Sequence, residues 1–226
     1  MHTARLIGIT QPSSEIFPHG ITTAEEMIVY AARVSNPANQ FNKETSKNLI
    51  AYLIKHNHWS PFEMASVQIE VKTTRDVAHQ IIRHRSFSFQ EYSQRYAKAP
   101  DDPYFRSSRL KDPINRQNSI DDAGTANDGR WLETQKGVHY HAAKAYELAI
   151  DQGVALEVAR AVLPEGMTPT TIIMAGTVRS WLHYVQERMK KGSQTEHRQV
   201  AYECFKILYD EMPSIFPEEL EELLDD

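Results

Sequence analysis

The sequence predicts one α+β domain over residues 1–226, a small and mostly antiparallel sheet flanked by long helices. Several segments carry apolar residues at helical spacing, a few shorter ones read as strands, and no repeat, low-complexity block or linker divides the chain. ARLIGIT (4–10) is a short strand, and TAEEMIVYAARVS is a helix with Met27, Tyr30, Ala31 and Val34 at helical spacing. KETSKNLIAYLIKHN is a second helix, followed by the loop HWSP. ASVQIEVK (65–72) alternates Val67, Ile69 and Val71 with Gln68, Glu70 and Lys72, the pattern of a half-buried strand. TRDVAHQIIRHR is then a helix capped by Thr73 or Thr74. Residues 97–128 are rich in turn formers and predict a long irregular connection, of the kind used for lids and interface arms. GRWLETQKGVHYHAAKAYELAIDQG is a long helix ending near Gly153, and VALEVARAVL a shorter one stopped by Pro164. PTTIIMAGTV is β-branched enough for a buried strand. RSWLHYVQERMKKG closes on Gly192, TEHRQVAYECFKILYDEM starts at a Thr195 cap, and the acidic tail 213–226 frays or docks on a neighbour.

Composition removes several function classes. The formal charge is −5, with 30 acidic against 25 basic residues, so no global field draws in a nucleic acid, and any basic site is local. The single cysteine, Cys204, excludes an internal disulfide framework and fits a reducing compartment. It shares a helix face with Ala201, Phe205 and Leu208, which is core geometry rather than that of a nucleophile. No apolar run approaches a membrane span, and MHTARLIGIT lacks the blocks of a signal peptide, so a cytoplasmic location without membrane contact is expected. The pairs His56/His58 and His139/His141 lack a carboxylate or cysteine complement, and no metal site is expected.

One stretch departs from this ordinary background. RHRSFSFQEYSQRY, Arg83 to Tyr96, holds three arginines and a histidine beside two tyrosines and two phenylalanines. If residues 74–86 form a regular helix, each side chain is turned by about 100° from the last. Arg85 then falls on the apolar face of Val77, Ala78, Ile81 and Ile82, while Gln80 and Arg83 share another face. Either these cations meet the negative end of the helix, or Arg85 is directed at an anion that makes its burial tolerable. Beyond Phe87 an extended chain would align Glu91, Ser93 and Arg95, opposite Gln90, Tyr92, Gln94 and Tyr96. That set suits a ligand with a phosphate and a polar ring, and it equally describes a solvated edge strand. Arg188, one turn beyond Trp181, Tyr184 and Val185, and Arg160 pose the same choice between snorkelling and anion binding, while Arg179 and His183 share the opposite side of their helix. There is no Gly-rich phosphate loop, so phosphates would be gripped by side chains.

Arg83-His84-Arg85, seven residues, then Ser93, resembles the signature of the flavin-dependent thymidylate synthases. HWSPFE (58–63), ARAVLP (159–164) and VRSWLHYVQER (178–188) resemble further blocks of that family, in the family order. The resemblance implies conversion of dUMP to dTMP, with 5,10-methylenetetrahydrofolate as carbon donor, NADPH as reductant and tightly bound FAD as cofactor. It also implies a homotetramer with sites built between subunits. FAD contacts would come from Ser60, Arg83, His84, Arg85, Glu91, Thr177, Val178, Arg179 and His183. The nucleotide would meet Gln80, Arg83, Glu91, Tyr92, Ser93, Gln94, Arg95 and Arg160, with Arg188 facing the uracil ring as the catalytic residue. Gln90, Met64 and Thr177 depart from the commonest family pattern. Two other readings are a non-catalytic nucleotide-binding protein of the same fold and an RNA-binding module in which Phe89, Tyr92 and Tyr96 stack bases. The acidic total charge opposes the RNA reading.

Overall fold

In the computed structural model, which describes residues 2–224, strands β1 (Thr3–Ile9), β2 (Ser66–Thr74) and β6 (Pro169–Thr177) form one sheet with a fourth, β3 (Ser88–Glu91). The order is β1-β2-β6-β3 and every pairing is antiparallel, as the sequence predicts. Alternation in β2 buries Val67, Ile69 and Val71, and the register sets Ile69 against Met174 and Val71 against Ile172 of β6. The helices α6 (Val178–Arg188) and α7 (Thr195–Glu211) pack against each other, and α7 lies against β1 and β2. Trp181, Tyr184, Phe205 and Leu208 fill the space between, and the Trp181 indole satisfies its N–H on the Val67 carbonyl at 3.0 Å.

Several elements end elsewhere than periodicity alone suggests, each for a local reason. Helix α1 (Ala24–Ala32) starts on a capping box between Thr23 and Glu26 and buries Ala24, Ile28 and Val29; Val34, expected on its apolar stripe, lies past its end and is exposed. The helix stops because the buried Arg33 guanidinium gathers the following loop, donating to the carbonyls of Asn39 and Asn42 and to the Thr45 hydroxyl. Helix α2 (Ser46–Lys55) follows, ending before Asn57 in the left-handed region. Helix α3 covers only Arg75–Ile81, with Thr74 at its N-cap position.

The segment 97–128 is more ordered than its composition implies. It holds a hairpin of β4 (Arg109–Lys111) and β5 (Ser119–Asp121), and α4 (Ala126–Asp151) begins three residues earlier than expected, on a Thr125 cap. Gly153, with φ of 83°, closes α4 by donating to the Ile150 carbonyl. A short α5 (Leu156–Ala159) runs into a 3-10 turn at Arg160–Val162 before Pro164. Helix α6 stops at Arg188 instead of running to Gly192, and Arg198 of α7 donates to the carbonyl of Met189 just past its end. Thr195 is the first residue of α7 rather than its cap. In the tail, Glu218–Leu224 dock on α7 through Tyr202 and Arg198; Asp225 and Asp226 lie outside the described residues. Among the described residues no helix is long and apolar enough to cross a membrane.

Candidate active site

Helix α3 ends early because the chain must turn to place Phe87. Successive turns, His84 N–H to the Ile81 carbonyl at 3.0 Å and Phe87 N–H to the His84 carbonyl at 3.1 Å, carry it from α3 into β3. The Phe87 ring lies across Gly176 of β6, so closely that a Cβ there would sit 2.5 Å from it, and meets Trp181 edge-on with ring centroids 4.8 Å apart. The helical expectation for residues 82–85 is therefore corrected: Arg83 and Arg85 are both exposed, and Arg85 is not on the buried face. His84 turns inward instead. Its ring stands edge-on to Tyr184, and its Nε2 accepts from Arg188 Nε at 2.8 Å. Burial, then the adjacent Arg188 charge, lowers the His84 pKa to about 4, so the ring is neutral with its proton on Nδ1.

Helix α6 supplies the facing wall. Thr177 caps it by accepting from the Ser180 N–H, and Trp181, Tyr184 and Val185 turn into the core. His183 stays on the outer face, as its spacing predicts, edge-on to Trp59; burial, then Arg179, lowers its pKa. Arg179 forms an ion pair with Glu63 at the end of the 3-10 turn Ser60–Glu63, beside the exposed Ser60. Val178 is fully buried and its N–H is taken by the Ala65 carbonyl, so it presents neither its side chain nor its N–H to a ligand. A cleft of about 340 Å³ lies between His84 and Ser86 on the loop and Ser180, His183, Tyr184 and Glu187 on α6.

A second group gathers around the end of β3. Glu91 accepts from Arg75 at 3.2 Å and from the Thr170 hydroxyl at 2.9 Å. The chain then turns at residues 94–96, with the Tyr96 N–H on the Ser93 carbonyl, so the expected alignment of Glu91, Ser93 and Arg95 is not formed. Arg95 swings out to Glu157 at 3.1 Å, and the Tyr92 hydroxyl donates to the Lys98 carbonyl at 2.6 Å. Gln94 is buried, with its Nε2 unpartnered among the described residues. Arg160 is half-buried in its 3-10 turn. No side-chain hydrogen bond among the described residues joins this group to the cleft beside α6.

The chemistry of the donors fits phosphate-bearing ligands. Arg5, Arg75, Arg95, Arg106, Arg109 and Arg179 each pair with a carboxylate, whereas among the described residues Arg33, Arg83, Arg85, Arg116, Arg130, Arg160, Arg188 and Arg198 form no ion pair; Arg83, Arg85, Arg160 and Arg188 are those of the candidate site. A cofactor or nucleotide phosphate would supply the missing anion. Cys204 is fully buried and its thiol is pushed far up by that burial, in keeping with the core reading. No group of three metal-ligating side chains occurs among the described residues.

The structure also brings in residues that the motif reading passed over. Glu196 and His197 of α7 are buried behind Gln80, and Glu196 carries a bidentate pair with Arg109 at 2.7 and 3.0 Å. The signal was present: His197 lies four residues before Ala201 on the face that buries Cys204 and Leu208, so the core stripe extends one turn further back.

The sequence profile of the thymidylate synthase complementing protein matches residues 20–214. A probable flavin-dependent thymidylate synthase of Paramecium bursaria Chlorella virus 1 is 46% identical over 94% of this chain and 96% of its own length. A flavin-dependent thymidylate synthase of Synechocystis sp. is 40% identical over 93% of this chain and 96% of its own. Among solved structures, a UMP/dUMP methylase, PolB, from Streptomyces cacaoi bound with 5-Br dUMP superposes with a TM-score of 0.81, covering 96% of this chain and 93% of that one at 24% identity. At that identity the superposition speaks for the fold.

Proposed function

The chain belongs to the thymidylate synthase complementing protein family, that of the flavin-dependent thymidylate synthases, and we propose that it methylates dUMP to dTMP using bound FAD, NADPH and 5,10-methylenetetrahydrofolate. The observation that carries this reading is the 2.8 Å bond between Arg188 Nε and the neutral His84 ring, which ties the Arg-His-Arg turn to the arginine at the end of α6. Among the described residues, His84 holds Arg188 from one side only. The two terminal amino groups of the guanidinium are then available to a pyrimidine ring, where a fixed positive charge stabilises the negative charge that develops on the uracil as C5 becomes nucleophilic. A reduced flavin, when bound, supplies the hydride for reductive methylation. Arg83, Arg85, His84, Ser60, Thr177, Arg179 and His183 would hold the flavin, with Glu91 standing where flavin and nucleotide meet; the buried Val178 would not reach it. Gln80, Arg83, Tyr92, Ser93, Gln94, Arg95 and Arg160 would grip the nucleotide, in which the buried donor of Gln94 gains an acceptor. No enzyme thiol is required, which agrees with the burial of Cys204.

With no side-chain hydrogen bond among the described residues between the cleft group and the Glu91–Arg160 group, a site completed by a neighbouring copy, as in a homotetramer, is the reading we pursue. The test is direct. Purified protein should carry a flavin spectrum that bleaches with NADPH, and it should form dTMP from dUMP only when methylenetetrahydrofolate is present. Colourless protein that cannot take up added FAD would sink the proposal.

A further inference from the structure

We propose that His197 is a positioning residue, which together with Glu196 fixes which end of the Gln80 amide faces the nucleotide. The inference rests on the reading of Gln80 as a nucleotide contact. An amide has a donor end and an acceptor end of nearly equal size, so only its neighbours decide its orientation. Here they decide it from both sides.

At one end stands Glu196, which is an acceptor only. Burial raises its pKa, but hydrogen bonds from Arg109 and Gln194 outweigh this and keep it ionised. Gln194 Nε2 donates to Glu196 Oε2 at 2.7 Å, so Gln194 turns its Oε1 toward Gln80 and accepts from Gln80 Nε2 at 2.6 Å. Gln80 Oε1 is thereby directed at His197 Nδ1, 3.3 Å away, and must receive a proton donor there. At the other end the Tyr184 hydroxyl lies 3.2 Å from His197 Nε2. Tyr184 is fully buried, and burial raises its pKa well above the usual value, so it donates. His197 itself is fully buried and is held neutral, its pKa lowered to about 3 by burial, then by Arg188 and His84. One tautomer satisfies every partner: Nδ1–H donating to Gln80 and Nε2 accepting from Tyr184.

The result is a chain of hydrogen bonds running in one sense, from Tyr184 through His197, Gln80 and Gln194 to Glu196. Gln80 keeps one N–H and one lone pair for a ligand, in a fixed arrangement. An apolar residue at 197 would leave Gln80 Oε1 and the Tyr184 hydroxyl without their buried partner, and the amide would be held from the Gln194 side alone.

The experiment titrates dUMP into the flavin-loaded protein by calorimetry, alongside flavin occupancy and melting temperature. His197→Leu should weaken dUMP binding about tenfold, with flavin occupancy unchanged. His197→Asn, whose amide N–H stands in for Nδ1–H, should recover most of that loss, and His197→Gln, which reaches only the Tyr184 side, should not. In a Gln80→Ala background, His197→Leu should cost less than about twofold more. Binding of dUMP to His197→Leu as tight as to the native protein, no difference between the Asn and Gln variants, or additive losses with Gln80→Ala would each overturn the positioning role. The Asn and Gln comparison stands even if the Leu variant does not fold. If Gln80→Ala alone leaves dUMP affinity unchanged, the reading of Gln80 as a nucleotide contact fails instead.

Discussion

Gly176 has the sharpest local consequence in the molecule, because it lets a loop carrying three candidate ligands lie flat on the sheet. A methyl group at that position would stand 2.5 Å from the Phe87 ring, which is wedged against Trp181. Gly176→Ala is therefore expected to cost about 1–3 kcal/mol of stability and to lower flavin occupancy, read from denaturant unfolding and the flavin absorbance per chain. A variant with native stability and full flavin would show that Phe87 relaxes without moving Arg83–Arg85. Cys204→Ala addresses the opposite kind of residue. It removes a buried thiol from the core and should leave dTMP formation intact at a loss of about 1 kcal/mol, whereas a folded but inactive variant would reopen a thiol mechanism. The two residues differ in how far their roles could be read from sequence. Cys204 announces itself by its spacing to Ala201, Phe205 and Leu208, a local signal. The exposure of Arg85 follows from Phe87 meeting a glycine almost ninety positions away, which no local pattern encodes.

Helix α6 positions Arg179, His183 and Arg188, so its ends matter more than its interior. Its start rests on the Thr177 hydroxyl accepting from Ser180 N–H. Thr177→Val should destabilise the protein by about 1 kcal/mol and loosen the flavin, while Thr177→Ser should behave as the native residue, compared by thermal unfolding and flavin retention during dilution. Equal behaviour of the two variants would remove the cap from the account. The start of this helix was legible from the strand-to-helix switch in PTTIIMAGTVRSW. Its end was not, and the partner that satisfies the carbonyl beyond it, Arg198, lies on the next helix. The same division runs through the fold: β2 and β6 declared themselves by alternation and β-branching, while the hairpin at Arg109–Lys111 and Ser119–Asp121 is pinned by partners such as Glu196 that lie far away in sequence.

At the scale of the whole molecule, His84 and His197 join His2 as histidines whose lowered pKa values make the fold sensitive to acid. His84 and His197 have pKa values lowered to about 4 and about 3, below the unfolded value near 6.5, so the unfolded chain binds protons that the folded chain refuses. Their contribution is complete above about pH 6.5 and is lost as pH falls towards 4, on the order of 2 kcal/mol each between about pH 7 and 5. Unfolding midpoints across that range should fall for the native protein and fall less for a His84→Asn, His197→Asn double variant; parallel profiles would refute this. The candidate site belongs to this scale too, since no side-chain hydrogen bond among the described residues joins the His84 cleft to the Glu91–Arg160 group. If copies complete one another, Arg188→Ala and Arg160→Ala damage different halves of a shared site. Each variant alone should be inactive. Mixed, reversibly dissociated and reassembled, they should regain up to about a quarter of native activity, because random assembly leaves that share of sites with both native halves. Activity that stays at the level of the separate variants, in mixed assemblies verified by mass, would mean that both arginines serve the site from the same subunit.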